Sequence, residues 1–156
     1  PWRPPQDGGG GWGRAGRLRL RLAGPGQLDR LKPLDFPAHQ QPQVRAQWSF
    51  VLEGVLCQAL IPTMDGRGRA LSLEIMVPNA AIRNLIREDK VHQIYSQIQV
   101  GQAKSGMQTM NQSLLMLYQR RVISFDDAMS RSPDPDELKQ MMTGVAQAIK
   151  KKQQRV

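Results

Sequence analysis

The sequence predicts an α/β chain: a β-hairpin followed by a bundle of helices, with a disordered basic tail in front. Three observations predict it. Two strand-like runs, Val55–Ile61 and Arg69–Val77, flank Thr63–Met64–Asp65–Gly66–Arg67–Gly68, whose Asp-Gly step is a hairpin turn signal. Beyond residue 79, apolar residues recur at helical spacing between capping signals. Before residue 27, Pro1, Pro4, Pro5, Gly8 to Gly11, Gly13, Gly16, Gly24 and Gly26 leave little that can pack.

The elements follow in order. Residues 1–34 read as an irregular Gly/Pro/Arg-rich tail, 35–149 as one folded unit, and 150–156 as a second basic tail. Arg17–Leu22 alternates strictly and would suit an edge strand, but its surroundings favour disorder. Gln40–Glu53 is a helix with Val44, Trp48, Val51 and Leu52 on one side and Gly54 as its C′ glycine. Asn79 is a good N-cap for a helix over Asn79–Glu88. A second helix covers Val91–Val100, a loop Gly101–Gly106, and a third helix Met110–Arg121, with Met110, Leu114, Leu117 and Tyr118 inward. Ser124 with Asp127 caps a short turn, and Asp134–Pro135–Asp136–Glu137 opens a last helix to about Ile149. Lysines at its end suit the negative pole of the helix.

Of 156 residues, 40% are hydrophobic, enough for one domain with a real core. The net charge of +9 belongs to the two ends. Arg3, Arg14, Arg17, Arg19, Arg21, Arg30 and Lys32 face only Asp7 and Asp29, and the tail adds Lys150, Lys151, Lys152 and Arg155. Residues 33–149 are neutral, and few aromatics interleave with the basic residues, so nucleic acid is not an expected partner. Cys57 is the one cysteine, in an apolar run that predicts a buried structural thiol and a reducing compartment. No apolar run approaches the roughly 20 residues of a membrane span.

Catalytic constellations are absent. His39, His92 and Cys57 do not make a zinc set, and Ser49 and Ser113 show no base partner. Asp126, Asp127, Asp134, Asp136 and Glu137 stand at helix starts, where capping explains them. Met107, Met110, Met116, Met129, Met141 and Met142 read as packing residues. No G-x-x-x-x-G-K-[ST] loop occurs to wrap phosphates, and Gly8–Gly13 is not followed by Gly-Lys-Ser/Thr.

The most informative stretch is Ala81, Ile82, Arg83, Asn84, Leu85, Ile86, Arg87 and Glu88. Ile82, Leu85 and Ile86 make an apolar stripe, while Arg83 and Arg87 stand one turn apart with Asn84 on the polar side. That pair is a cationic fork suited to carboxylate, phosphate or another subunit. By physics alone the segment reads as a surface helix with a solvated face. The octapeptide also resembles the AIRNLIRE motif of the PilT family, the ATPases that retract type IV pili in twitching motility. Its flanks are similar too: Phe36–Pro37 with Gln40, Gln41, Gln43 and Val44–Arg45; Gly54–Val55 with Gln58, Leu60, Ile61 and Pro62; Gly68–Arg69; Glu74–Ile75–Met76; Lys90; Gln93–Ile94; and Gly106–Met107–Gln108–Thr109–Met110–Asn111–Gln112–Ser113–Leu114. The likeness runs from about Asp35 to about Met142.

The resemblance implies the C-terminal part of a RecA-like secretion ATPase core. It implies a homo-hexamer at the cytoplasmic face of the inner membrane, working with the pilus platform protein. The intact family member uses ATP and Mg; the Walker A and Walker B elements lie upstream of the matched stretch, so neither cofactor nor catalytic residue is expected in this chain. The octapeptide 81–88 is then the retraction motif, with Arg45 and Arg69 as candidates for subunit or nucleotide-edge contacts. An alternative is a stand-alone module that binds the ring of an intact ATPase. Asp29–Arg30–Leu31–Lys32–Pro33–Leu34–Asp35 departs from the family, since Pro33 disrupts a helix there. Residues 1 to about 28 therefore read as a foreign or frame-shifted stretch.

Overall fold

The computed structural model describes residues 18–23 and 36–153. Three strands form one sheet in the order β1 (Leu18–Ala23), β2 (Leu52–Pro62), β3 (Arg69–Met76). β2 and β3 are the predicted antiparallel hairpin, paired from Val55 opposite Met76 to Pro62 opposite Arg69. Gly66 takes φ +67° in the turn, a backbone that favours glycine. Asp65 braces the turn by accepting from Thr63 Oγ1 at 2.5 Å and from the Arg67 amide at 3.2 Å. Those bonds, the hydroxyl first, hold its carboxyl below the usual range.

β1 corrects the tail reading over six residues: the alternating Leu18–Ala23 pairs parallel to β2, from Leu20 opposite Val55 to Ala23 opposite Gln58. Backbone pairing supplies what composition did not show. The tail reading of residues 1–17 and 24–35, including Pro33, lies outside the described residues.

Six α-helices complete the described fold: α1 (Gln41–Val51), α2 (Ala80–Arg87), α3 (Ile94–Ser105), α4 (Met110–Gln119), α5 (Phe125–Arg131) and α6 (Pro135–Gln153). A single 3₁₀ turn, Val91–Gln93, precedes α3. Four expectations need correcting. Gly54 does not end α1: the chain turns extended at Leu52 and Gly54 lies within β2. Gly101–Gly106 is not a loop, because α3 continues to Ser105. Within the helix, position 101 takes glycine because Met107 fills the space beside it; an added Cβ would lie 2.0 Å from Met107 Cε. The stop is Gly106 alone, at φ +63°. Tyr118 is exposed rather than inward, edge-on to Phe125 at 6.2 Å. The last helix runs past Ile149 to Gln153, so Lys150–Lys152 fall inside it.

The caps explain the helix starts. Asn79 Oδ1 accepts from the Ile82 amide at 2.9 Å, as expected. Ser124 Oγ accepts from the Asp127 amide at 3.0 Å, and Asp134 Oδ1 from the Glu137 amide at 3.0 Å. Ser124 opens a seven-residue helix, more than a turn. Thr109 and Gln112 form a reciprocal capping box at α4, legible as T-x-x-Q in the sequence but not predicted.

The core lies between the inner face of the hairpin and the helices. Val55, Cys57, Ala59 and Ile61 of β2 and Ala70, Ser72, Glu74 and Met76 of β3 are buried on that face. Ile82, Ile86, Ile94, Ile98, Met110, Leu114, Ile123 and Leu138 close over it. The segment ahead of α4 also covers the edge of β3: Ile75 and Gln108 exchange backbone bonds at 2.7 and 3.0 Å, and Gln108 Nε2 donates to Leu73 O at 2.9 Å. One polar side chain, Glu74, sits inside the core, and a second polar centre, at Glu137, lies at its margin. Burial pushes the Glu74 carboxyl up, against hydrogen bonds from the Cys57 thiol and the Met110 amide that pull it down. Glu137 accepts from Tyr95, Gln99 and Asn111, tying α6 to α3 and α4. Burial, then that bond, pushes the Tyr95 hydroxyl up.

Two outcomes follow. The native state holds the Glu74 proton more tightly than the unfolded chain does. Its contribution is therefore full below about pH 4.5 and is lost as pH rises through the raised value. Glu74→Gln should flatten that acid-to-neutral slope in urea titrations and leave neutral-pH stability no lower than that of the parent. Arg121, just past α4, holds φ +56°, while the Val122 amide donates to Leu117 O at 3.0 Å. Arg121→Gly should raise unfolding stability by about 1 kcal/mol, because a left-handed residue with a Cβ is strained by that order.

Candidate functional site at the α1–α2 junction

α1 passes into β2 with no loop between them, so the last carbonyls of α1 need donors from elsewhere. α2 supplies one. Its apolar stripe sinks into the core: Ile82 and Ile86 are wholly buried and Leu85 packs against them. That seats the polar side of α2 beside the end of α1. Arg83 Nη1 donates to Ser49 O at 2.6 Å and to Phe50 O at 3.1 Å. The guanidinium thus caps a helix C-terminus, where a cation is favoured.

Arg87 points elsewhere. Its guanidinium carbon lies 6.0 Å from the centre of the Phe50 ring, and Nη2 donates to Asn84 Oδ1 at 3.0 Å. Asn84 Nδ2 donates to Glu88 Oε1 at 2.6 Å, and Lys90 Nζ lies 2.8 Å from Glu88 Oε2. Lys90 first, then Asn84, hold the Glu88 carboxyl below its usual range. The two arginines therefore do not converge as a fork on one anion. Arg83 is a half-buried clamp within the chain, whereas Asn84, Arg87, Glu88 and Phe50, the last 71% exposed, form an outward face. Ala81, the first residue of the octapeptide, is exposed in the first turn of α2.

Arg45 joins this site and Arg69 does not. Arg45 Nη1 lies 3.6 Å from Asp89 Oδ2, just past α2, and its Nε has no hydrogen-bond partner among the described residues. Asp89 holds φ +60°, which lets the Lys90 amide reach Leu85 O at 2.9 Å and stops the helix. Arg69 is exposed at the turn end of β3, about 23 Å along that strand from Met76 at the usual rise per residue. Phe50 was not anticipated; its place next to the helix end gave no pattern to find it by.

The N-termini of α2, α4, α5 and α6 are capped by the side chains of Asn79, Thr109, Ser124 and Asp134, whereas those of α1 and α3 carry no side-chain cap. Among the described residues no group of three His, Cys, Asp or Glu side chains is placed to hold a metal. Cys57 is buried, and His39 and His92 are exposed. Among the described residues no helix is long and apolar enough to cross a membrane.

The two arginines should separate on mutation. Arg83→Met should lower unfolding stability by about 2 kcal/mol, the scale of a charged hydrogen bond to an otherwise orphaned carbonyl. Arg87→Met should lower it by less than about 1 kcal/mol, since its partners are exposed. Urea titration of the two variants measures both.

No family model matches the chain. Individual proteins do. A twitching motility protein of Neisseria gonorrhoeae is 46% identical over 111 residues, 71% of this chain and 29% of the relative. The type IV pilus retraction ATPase PilT of Pseudomonas aeruginosa is 44% identical over 109 residues, 70% of this chain and 31% of the relative. A crystal structure of the pilus retraction motor PilT with bound ADP superposes with a TM-score of 0.64 at 45% identity, covering 76% of this chain and 32% of that one. The expected fold, a hairpin and following helices from a PilT-type ATPase core, is the one found. The chain spans under a third of the length of the relatives it matches, and over that span it carries a segment of the PilT family of type IV pilus ATPases.

Proposed function

We propose that this chain is the coupling end of a motor that retracts type IV pili. The observation that supports it most is the octapeptide 81–88, whose helix is clamped to α1 on one side and offers Asn84, Arg87 and Glu88 on the other. A segment built this way transmits a movement: the buried stripe and Arg83 make α2 rigid with the sheet, and the exposed polar side meets whatever α2 pushes. In this reading the intact motor is a homo-hexamer at the cytoplasmic face of the inner membrane, and its platform protein is the downstream partner. ATP and Mg are bound by the part of the fold outside this match, and this chain does not hydrolyse ATP alone. Arg45 orders the turn after α2, while Arg69 serves a subunit contact at the hairpin end. Nucleic acid is not a partner.

A second reading, a stand-alone module that joins the ring of an intact ATPase, is favoured by the apolar outer face of the hairpin. Co-purification of this chain with a full-length relative would support it.

The retraction reading is tested in the intact P. aeruginosa PilT. Replacing the residue that matches Arg87 should abolish or sharply reduce twitching while ATP binding and thermal stability stay near those of the parent. Replacing the residue that matches Arg83 should reduce twitching together with stability. Loss of nucleotide binding in a normally folded Arg87-equivalent variant would refute the coupling role.

A further inference from the structure

The hairpin turn, Thr63–Gly68, meets the turn between α4 and α5. The Met64 amide donates to Val122 O at 2.9 Å and ties the two together. Beside this tie lies an open recess of about 480 Å³, walled by Met64, Tyr118 and Phe125. That is within the ~300–1,000 Å³ of ligand-sized sites. The Tyr118 and Phe125 rings meet edge-on, and the three side chains are 61%, 37% and 42% exposed. Large apolar groups gathered around one recess in water mark a contact surface.

The same place is basic. Arg121 lines the recess, and Arg67 stands in the hairpin turn; both are exposed. Among the described residues neither guanidinium has a hydrogen-bond or ion-pair partner. The carboxylates of Asp65 and Asp127 accept from the hydroxyls of Thr63 and Ser124, which leaves Asp126 as the uncommitted acid of these two turns. Arg121 is also held at a cost. It follows the α4 C-cap at φ +56°, where glycine is the default. A strained residue kept where glycine would serve points to use of its side chain.

We propose that this recess docks an acidic segment of a protein partner that carries one large aromatic side chain. The aromatic anchor fills the space between Met64, Tyr118 and Phe125, and carboxylates on either side of it pair with Arg67 and Arg121. Met, aromatic residues and Arg are the types enriched at protein interfaces, and clustered arginines take acidic motifs. The walls are preformed, since the Arg121 amide donates to Tyr118 O at 2.9 Å and Ser124 caps α5. Binding therefore orders little of this chain. A concave recess suits a single anchor on a peptide better than the flat surface of a membrane. The site is separate from the outward face of α2 and does not depend on the motor reading.

Fluorescence anisotropy at low salt tests this in the full 156-residue chain. The probe is a labelled peptide of one tryptophan with three glutamates on each side, compared with the same peptide carrying serine in place of tryptophan. The parent should bind the tryptophan peptide at least about tenfold more tightly than the serine one. Arg67→Ser with Arg121→Gly should weaken the tryptophan peptide by at least about tenfold, and Phe125→Ser by about fivefold. The thermal midpoint of the arginine variant should be no lower than that of the parent, because position 121 becomes glycine, so the loss is not one of folding. Equal binding in parent and variants would overturn the proposal, because the basic tails would then be holding the peptide by charge. Equal binding of the two peptides would overturn it too, because the recess would take no anchor. Vesicles of phosphatidylglycerol that bind the parent and not the arginine variant, with no peptide bound by either, would assign the surface to a membrane and overturn the proposal.

Discussion

Arg83 closes the join between the first helix and the sheet, and the arrangement of the remaining elements depends on that join. α1 ends and β2 begins at adjacent residues, which leaves no loop to satisfy the last helical carbonyls. One guanidinium on α2 takes two of them, at Ser49 and Phe50. The apolar stripe of the same helix is held by Ile82 and Ile86 in the core. α1, α2 and the hairpin are thereby fixed to one another from both sides of α2. Arg45 and Asp89 add a weaker tie at the other end of α2, where partial exposure limits its worth.

The remaining helices are held by a second polar centre. Glu137 begins α6 and accepts from Tyr95 and Gln99 of α3 and from Asn111 of α4. Asn111 also donates to Asp134 O and accepts from Ser132, so the loop before α6 is fixed by the same residue. This network is half-buried, with Asn111 wholly buried at its inner end, so losing one partner there leaves a polar group without another. One centre lies at the junction of α1 with β2, the other where α3, α4 and α6 meet.

The sequence made some of this legible and hid the rest for physical reasons. The hairpin was readable because its Asp-Gly turn stands between two apolar strand-like runs. Asn79, Ser124 and Asp134 were readable as caps because capping is local, with donor and acceptor three residues apart. The boundaries at Gly54 and Gly101 were misread because a glycine signals freedom without saying whether the fold uses it. Gly54 lies in a strand, and Gly101 lies inside α3, where the missing side chain leaves room for Met107. The alternation at Leu18–Ala23 lacked any local sign of a pairing partner. For the site, the octapeptide was found with the right stripe inward, but the different fates of Arg83 and Arg87 depend on the end of α1, more than thirty residues away. Glu74 and Glu137 were missed for the same reason: their partners are distant in the chain.

The central claim is that the two arginines of the octapeptide do separate work, one inside the fold and one facing out. Amide hydrogen exchange across Val51–Gly54 tests it directly, because these amides follow the Ser49 and Phe50 carbonyls that Arg83 holds and Arg87 does not. The account predicts that Arg83→Met accelerates exchange at these amides while Arg87→Met leaves it as in the parent chain. Equal exchange in the two variants, whether both fast or both slow, would contradict it.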